Sequence, residues 1–146
     1  MDDTGSSNLR ELARSTYFKG YNCAEAIVTL FSWKYSLNIN QRMATAMGGG
    51  IGGSKSLCGA LNGAILVLGA LFGRETPEEN STEVYKMAKT FYERFEKKIN
   101  TAICRDITSG VEWKSAGHKE LCSSIIGEAA IILDEIIKEN KGVQKN

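Results

Sequence analysis

The sequence predicts an all-α fold in which a single-domain bundle of five to six helices surrounds a central Gly/Ala-rich apolar helix. Two observations indicate this class. Apolar residues recur at helical spacing along most of the chain, and no segment alternates apolar with polar residues as a half-buried strand does. One stretch, 57–72, carries small and large apolar residues on every face, which is typical of a helix enclosed by others.

The first two helices are predicted from capping boxes, in which an N-cap side chain and an acidic residue three positions later satisfy each other's backbone N–H groups. Asn8 with Glu11 starts the first helix, and Asn22 with Glu25 starts the second. Cys23 is therefore expected at the first position of the second helix.

A shorter third helix is predicted to begin at Asn38 or Asn40 and to end at the glycines after Met47. The central helix follows, with Ser54 or Ser56 as its predicted cap, which would place Cys58 in the first turn.

The second half of the chain predicts three further helical segments. Thr76, Pro77 and the acids after them form a typical helix start for an amphipathic helix of some twenty residues. A short helix or turn is expected within 100–107, and a long helix over 118–139. Residues 1–7 are predicted to be a flexible N-terminal tail, 8–140 a single four-cysteine domain and 141–146 a C-terminal tail.

The composition excludes several classes of function. The 18 basic and 17 acidic residues nearly cancel and form no basic stripe, which gives no support to binding of nucleic acid or of acidic substrates. The apolar stretch 57–72 is too short for a membrane span. The acidic, polar N-terminus is unlike a secretory signal, so we expect a cytoplasmic location, where thiols are normally reduced.

The four cysteines, Cys23, Cys58, Cys104 and Cys122, contain no CxxC pair. A thioredoxin-type dithiol, a zinc ribbon and a c-type haem site are therefore unsupported. Side chains from different helices of a bundle can still converge on one interior point. Cys23 and Cys58 are both expected at helix N-termini, where the helix dipole lowers the pKa of a thiol. Taken alone, Cys104 and Cys122 fit simple buried hydrophobes equally well.

Five glycines precede Cys58, and we expect their loop to adopt backbone angles closed to other residues and to admit a ligand beside the cysteines. The loop lacks the P-loop residue order, and no strand precedes it, so phosphate-binding motifs are excluded. Lys55 either holds an anion or faces water. The loop glycines are Gly48, Gly49, Gly50, Gly52 and Gly53.

Three other side chains have two interpretations. His118, the only histidine, lies four residues before Cys122 on the same helix face. It is a candidate ligand or proton acceptor, although a surface or capping role is commoner for a lone histidine. Trp33 and Trp113 are expected in the core or in an interface.

Several motifs resemble one family. From about Tyr17 to Ile137, the order and spacing are similar to those of the C_GCAxxG_C_C family of small redox-active proteins with four cysteines. The resemblance implies that the four cysteines act together, and split-Soret cytochromes carry a similar domain for which an iron–sulfur site has been suggested. This chain lacks their haem-binding portion. The matching segments are NCAEA at 22–26, the glycine loop, CGALNG at 58–63, LGALFG at 68–73, CRDI at 104–107 and Cys122.

Three functions remain open. The first is thiol/disulfide electron transfer by an oxidoreductase, in which Cys58 attacks and Cys23 resolves, with a redox protein or a small thiol or disulfide as partner. The second is an iron–sulfur cluster, or zinc, bound by all four cysteines. The third is a helical interaction module with inert cysteines, such as a homodimer packed through Gly59 and Gly63 or through Trp33. The expected low thiol pKa places thiol chemistry first.

Overall fold

The computed structural model describes residues 3–143 and confirms the all-α class. This part of the chain forms seven α-helical segments, of which two have only four residues, where the sequence predicted five to six helices. The α-helices are α1 Asp3–Tyr17, α2 Cys23–Tyr35, α3 Gly48–Ile51, α4 Gly59–Phe72, α5 Thr82–Ile99, α6 Cys104–Ile107 and α7 Ala116–Glu139, with 3₁₀-helices at Gln41–Met47 and Lys141–Val143.

Helix α4 packs against α2, α5 and α7, while α1 covers α7 and part of α2. The core between these helices is filled by large apolar side chains, among them Phe31, Phe91 and Phe95, all fully buried. None of the helices in 3–143 is long and apolar enough to cross a membrane.

The close approach of α2 and α4 depends on a glycine. A Cβ atom at Gly63 would lie 2.8 Å from the carbonyl oxygen of Ala24, so only glycine lets the two backbones pack at this distance. Gly59 also faces α2. These two glycines therefore contact a helix of the same chain, and the dimer interface predicted through them is wrong. Trp33 lies at the surface with 73% of its area exposed, which excludes the core and leaves an interface as the predicted role of this side chain.

The start of α2 is confirmed. The Asn22 side chain accepts a hydrogen bond from the backbone N–H of Glu25 at 2.8 Å, and the Glu25 carboxylate accepts one from the backbone N–H of Asn22 at 2.9 Å. Asn40 caps the 3₁₀-helix with a single hydrogen bond, which its side chain accepts from the backbone N–H of Arg42.

Two predicted helix starts are wrong. Helix α1 begins at Asp3, so Asn8 lies inside it and the predicted tail is helical from Asp3 onward. Helix α5 begins at Thr82 rather than at Thr76, because Asn80 accepts a hydrogen bond from the N–H of Thr82 at 2.7 Å. The predicted C-terminal tail is a 3₁₀ turn at Lys141–Val143, and residues 1–2 and 144–146 of the two predicted tails lie outside the described residues.

Candidate functional site

Three of the four cysteines lie at helix starts. Cys23 is the first residue of α2, Cys104 is the first residue of α6, and Cys58 is the N-cap of α4. Cys122 lies in the second turn of α7. The predicted caps Ser54 and Ser56 are wrong, because Cys58 itself occupies the cap position and α4 begins one residue later.

The structure brings all four cysteines to one cavity of about 20 Å³, here called the four-cysteine cavity. Its other walls are mainly apolar. No disulfide joins the cysteines, of which Cys58 and Cys104 are buried, with 7% and 8% of their areas exposed, and the other two are half-buried. The remaining lining residues are Gly59, Ala60, Ile107, Thr108, Ile125 and Ile126.

A short backbone pairing holds the segment before Cys58 against the segment that contains Cys104. The N–H of Cys58 donates to the carbonyl of Ala102 at 2.8 Å, and the N–H of Cys104 donates to the carbonyl of Ser56 at 2.6 Å. Leu57 and Ile103 form an isolated β-bridge between these bonds. Two cysteines far apart in the sequence are thus fixed on neighbouring backbones.

The sulfur of Cys23 occupies the space that a side chain at position 59 would need. A Cβ atom built on Gly59 would overlap this sulfur, so glycine is required next to Cys58. Burial raises the pKa of the Cys23 thiol, while the backbone N–H groups of Gly49, Ala24, Cys23 and Gly59 act in the opposite direction.

The glycine loop has the predicted backbone. Gly49, Gly50, Gly52 and Gly53 all have positive φ, between 59° and 78°, whereas Gly48 has φ −65° and is not left-handed. At Gly50 a Cβ atom would also lie 2.7 Å from the Cβ of Cys104. The loop therefore packs directly against the cysteines.

The prediction of low thiol pKa values is wrong. Burial raises the pKa of Cys58 to about 12, and the nearby Cys23 thiol adds to the rise. Burial, Cys23 and Cys104 likewise raise the pKa of Cys122 to about 12. The pKa values of Cys23 and Cys104 are also raised, mainly by burial, although Lys55 and Arg105 act against the rise at Cys104. Desolvation outweighs the favourable helix N-termini, so without an occupant all four sulfurs favour the thiol form.

A larger cleft of about 650 Å³ lies beside the four-cysteine cavity. The cleft and the four-cysteine cavity share three lining residues, Cys23, Cys104 and Cys122, which lie between them. Cys58 lines only the four-cysteine cavity. Ligands in the cleft would therefore meet three of the four cysteines directly. The remaining lining residues are Tyr17, Gly20, Tyr21, Asn22, Gly49, Gly53, Trp113, Lys114, His118 and Lys119.

His118 and Trp113 form one wall of the cleft. Their rings stack with centroids 4.2 Å apart, and the Nζ of Lys55 lies 4.5 Å from the centre of the indole ring. The Nδ1 of His118 accepts a hydrogen bond of 2.7 Å from the backbone N–H of Lys114. Burial, with Lys55 and Lys119 nearby, lowers the pKa of His118, so the ring favours its neutral form. His118 thus shares the cleft with Cys122, as their spacing predicted.

Other cleft residues were not identified from the sequence. Tyr17 is the last residue of α1, and Tyr21 lies between α1 and α2. Their common position in the cleft depends on how α1 packs beside α2, which the sequence does not reveal. Burial, with Cys122 and Cys23 nearby, raises the pKa of the Tyr17 hydroxyl to about 12. Among residues 3–143, no three His, Cys, Asp or Glu side chains are close enough to surround a single metal ion.

Other proteins are similar to this chain over most of its length. An uncharacterized protein from Archaeoglobus fulgidus is 25% identical over 131 residues, which cover 82% of this chain and 87% of that protein. A solved structure, described as a novel iron centre in the split-Soret cytochrome c from Desulfovibrio desulfuricans, superposes with a TM-score of 0.73 at 21% identity. The match covers 92% of this chain and 68% of the cytochrome chain, and it shows a shared fold.

The sequence profile of one family, described as "Putative redox-active protein (C_GCAxxG_C_C)", matches residues 21–136. This range contains all four cysteines and the glycine loop, and it spans most of the chain. The chain belongs to the C_GCAxxG_C_C family.

Proposed function

We propose that this protein transfers electrons and that Cys23, Cys58, Cys104 and Cys122 bind an iron–sulfur cluster. One observation carries the proposal: four thiols from four different helices line a single, mainly apolar cavity. Four cysteine thiolates are the usual ligands of [2Fe–2S] and [4Fe–4S] clusters. The description of the family as redox-active, and the iron centre named for the split-Soret cytochrome, support the same chemistry.

The chemistry of the cavity fits an iron–sulfur cluster, because its four thiols can each supply one ligand. Among residues 3–143, no three His, Cys, Asp or Glu side chains are already arranged around a common metal position. The present cavity of about 20 Å³ is close to the size of one water, so the cysteine side chains would have to rotate outward.

The surrounding residues would stabilise thiolate ligands. Each thiol must lose its proton to bind iron, so the raised pKa values make loading dependent on pH. The N–H groups of Gly49 and Gly59 donate toward the Cys23 sulfur, and Lys55 and Arg105 favour negative charge at Cys104. The apolar wall from α7 excludes water. When bound, the cluster would supply one-electron transfer.

A second candidate is thiol/disulfide exchange by the same cysteines, which would make the protein a thiol-dependent oxidoreductase. The cleft supports it, because three thiols line an open space that a small disulfide can enter. In this case the first attack would come from Cys23, Cys104 or Cys122, since Cys58 does not line the cleft. The raised pKa values count against rapid attack, because the thiolate is the nucleophile.

Anaerobic purification, followed by iron and acid-labile sulfide analysis, an absorption spectrum and a thiol count, separates these functions. A cluster gives iron, sulfide and visible absorption, and all three are lost in Cys58→Ser and retained in the control Trp33→Phe. Metal-free protein that reversibly loses two or four thiols on mild oxidation supports thiol chemistry instead. Metal-free protein with unreactive thiols contradicts both and leaves an interaction module with inert cysteines.

The partner would be a redox protein or a small thiol or disulfide that reaches the site through the cleft. A cytoplasmic location stays part of the proposal, because a reducing compartment keeps thiols available for either chemistry. Zinc is the other candidate metal, and the same metal analysis identifies it. A homodimer through the exposed Trp33 also stays a prediction.

A further inference from the structure

The cleft beside the cysteines carries positive charge, although the chain as a whole is almost neutral. Lys114 and Lys119 line it, and Lys55 reaches over the Trp113 ring that forms its wall. Of the described residues that line the cleft, none carries a carboxylate. The cleft therefore favours an anionic occupant, which the net charge alone did not predict.

Two of these lysines have a strained backbone. Lys55 has φ +60° and Lys114 has φ +68°, in the left-handed region that glycine adopts without cost. Both contact the ring pair at the cleft wall: Lys55 through its ammonium group, and Lys114 through its N–H bond to His118. Backbone strain of this kind is typical of functional sites. A lysine at such a position costs more conformational free energy than glycine would, which suggests that its side chain has a role there.

The cleft also offers flat apolar surface. Tyr17, Tyr21, Trp113 and His118 all line it, and the stacking of His118 on Trp113 fixes both rings. Aromatic side chains bind planar ring systems by stacking or edge contacts. The volume of about 650 Å³ lies within the range of roughly 300–1,000 Å³ that small-molecule sites occupy.

We propose that the cleft binds a planar, anionic small molecule of the chemical class of flavin mononucleotide. Its ring system would contact the aromatic wall, and its anionic group would pair with Lys114 and Lys119. Cys23, Cys104 and Cys122 would then lie beside the ligand. Binding itself does not require a cluster, whereas electron exchange between this ligand and the iron–sulfur cluster rests on the proposed function above.

Calorimetric titration of the whole chain with three probes tests the proposal: flavin mononucleotide, riboflavin and inorganic phosphate. Riboflavin has the same ring without the phosphate, and inorganic phosphate has the anion without the ring. We expect flavin mononucleotide to bind at least about fivefold more tightly than riboflavin, the contribution of one or two partly exposed ion pairs. Phosphate alone should bind far more weakly than either flavin.

The lysines are tested by Lys114→Gly combined with Lys119→Ala. Glycine accepts the backbone angles at position 114, so this variant should fold, while its dissociation constant for flavin mononucleotide should rise about fivefold to that of riboflavin. Two controls should leave binding unchanged. Ser36→Gly makes the same exchange at a left-handed position outside the cleft, where φ is 54°, and Lys86→Ala removes an exposed lysine from α5.

Several results would overturn the proposal. These are equal affinity for the two flavins, phosphate binding as tight as that of flavin mononucleotide, an unchanged affinity in the lysine variant, or no binding of any flavin at about 1 mM. The titrations are made on metal-free and on iron- and sulfide-treated protein. Flavin binding to colourless protein that takes up no iron would support this site and contradict the cluster, whereas a cluster without flavin binding would do the reverse.

Discussion

Gly59 shows how one missing side chain shapes the site. The Cys23 sulfur fills the position of its absent Cβ atom. We expect Gly59→Ala to lower the free energy of unfolding by about 1–3 kcal/mol, the usual cost of overpacking a core. Urea denaturation of the metal-free protein measures this change.

Gly69 is the matched control for this substitution, since it lies in the same helix and a Cβ atom there meets nothing within 4 Å. Alanine at this position should raise the free energy of unfolding by about 0.5–1 kcal/mol through its higher helix propensity. If both substitutions had the same sign, contact with the Cys23 sulfur would not be the reason for the glycine.

The thiol of Cys58 makes the stability of the metal-free protein dependent on pH. Burial raises its pKa from 9.0 to about 12, so between these values the unfolded chain loses a proton that the folded protein keeps. Stability should therefore fall as pH rises from 9 to 12, by about 1.4 kcal/mol per pH unit from this thiol. Denaturation curves of the reduced protein and of Cys58→Ala give the contribution as a difference in slope. Identical slopes would mean that the thiol ionises as easily in the folded protein as in the unfolded chain.

At the scale of single elements, the start of α2 positions Cys23. Asn22 caps this helix and also donates a hydrogen bond of 3.0 Å to the carbonyl of Thr45. We expect Asn22→Ala to lower the free energy of unfolding by about 1 kcal/mol, as loss of an N-cap usually does, and to reduce iron uptake because Cys23 is the next residue.

Asn40→Ala is the control for Asn22→Ala. It removes the cap of the 3₁₀-helix Gln41–Met47, which carries no cysteine. Both variants should lose stability in thermal denaturation, and only Asn22→Ala should lose iron uptake after anaerobic reconstitution. Equal uptake by the two variants would show that the cap does not position the cysteine.

The elements also show which structure could be predicted from the sequence. The capping box of Asn22 and Glu25 acts over three residues, so local sequence was enough to place the start of α2. The start of α4 could not be placed locally, because residues 55–58 pair with the backbone of residues 102–105. Thr76, Pro77 and the acids after them form a typical helix start, but α5 begins at Thr82, whose backbone N–H donates a hydrogen bond to the Asn80 side chain.

The thiol pKa values of the site were harder to predict from the sequence than the identity of its residues. Helix N-termini indicated low thiol pKa values, but burial among apolar side chains and other thiols reverses the shift. Burial depends on the packing of α7 and α6 around the cavity, which no local pattern reveals. The cleft was missed for the same reason: Tyr17 and Tyr21 lie between the end of α1 and the start of α2, whereas Trp113 lies between α6 and α7.

At the scale of the whole molecule, the four-cysteine cavity joins parts of the chain that otherwise have few connections. Helices α1, α2, α4, α5 and α7 share the hydrophobic core, to which α6 adds only the partly buried Ile107. Hydrogen bonds between residues 54–58 and 102–105 hold α6 against the end of the glycine loop. The loop and α6 therefore have the smallest stabilising contribution from the core, and an occupant of the cavity would tie them to α2 and α7.

The positions of the cysteines predict which segments a bound iron–sulfur cluster stabilises most. Treatment with iron and sulfide should slow amide hydrogen exchange most strongly within 48–58 and 102–107, because ligand binding raises the free energy of local opening for the segments that carry ligands. Exchange in the middle of α5, which contributes no cysteine, should change little. Cys104→Ser, treated in the same way, is the control and should lose the protection of 102–107. Uniform protection of all helices, or none in these two segments, would contradict binding by the four cysteines, since Cys58 and Cys104 lie in these two segments.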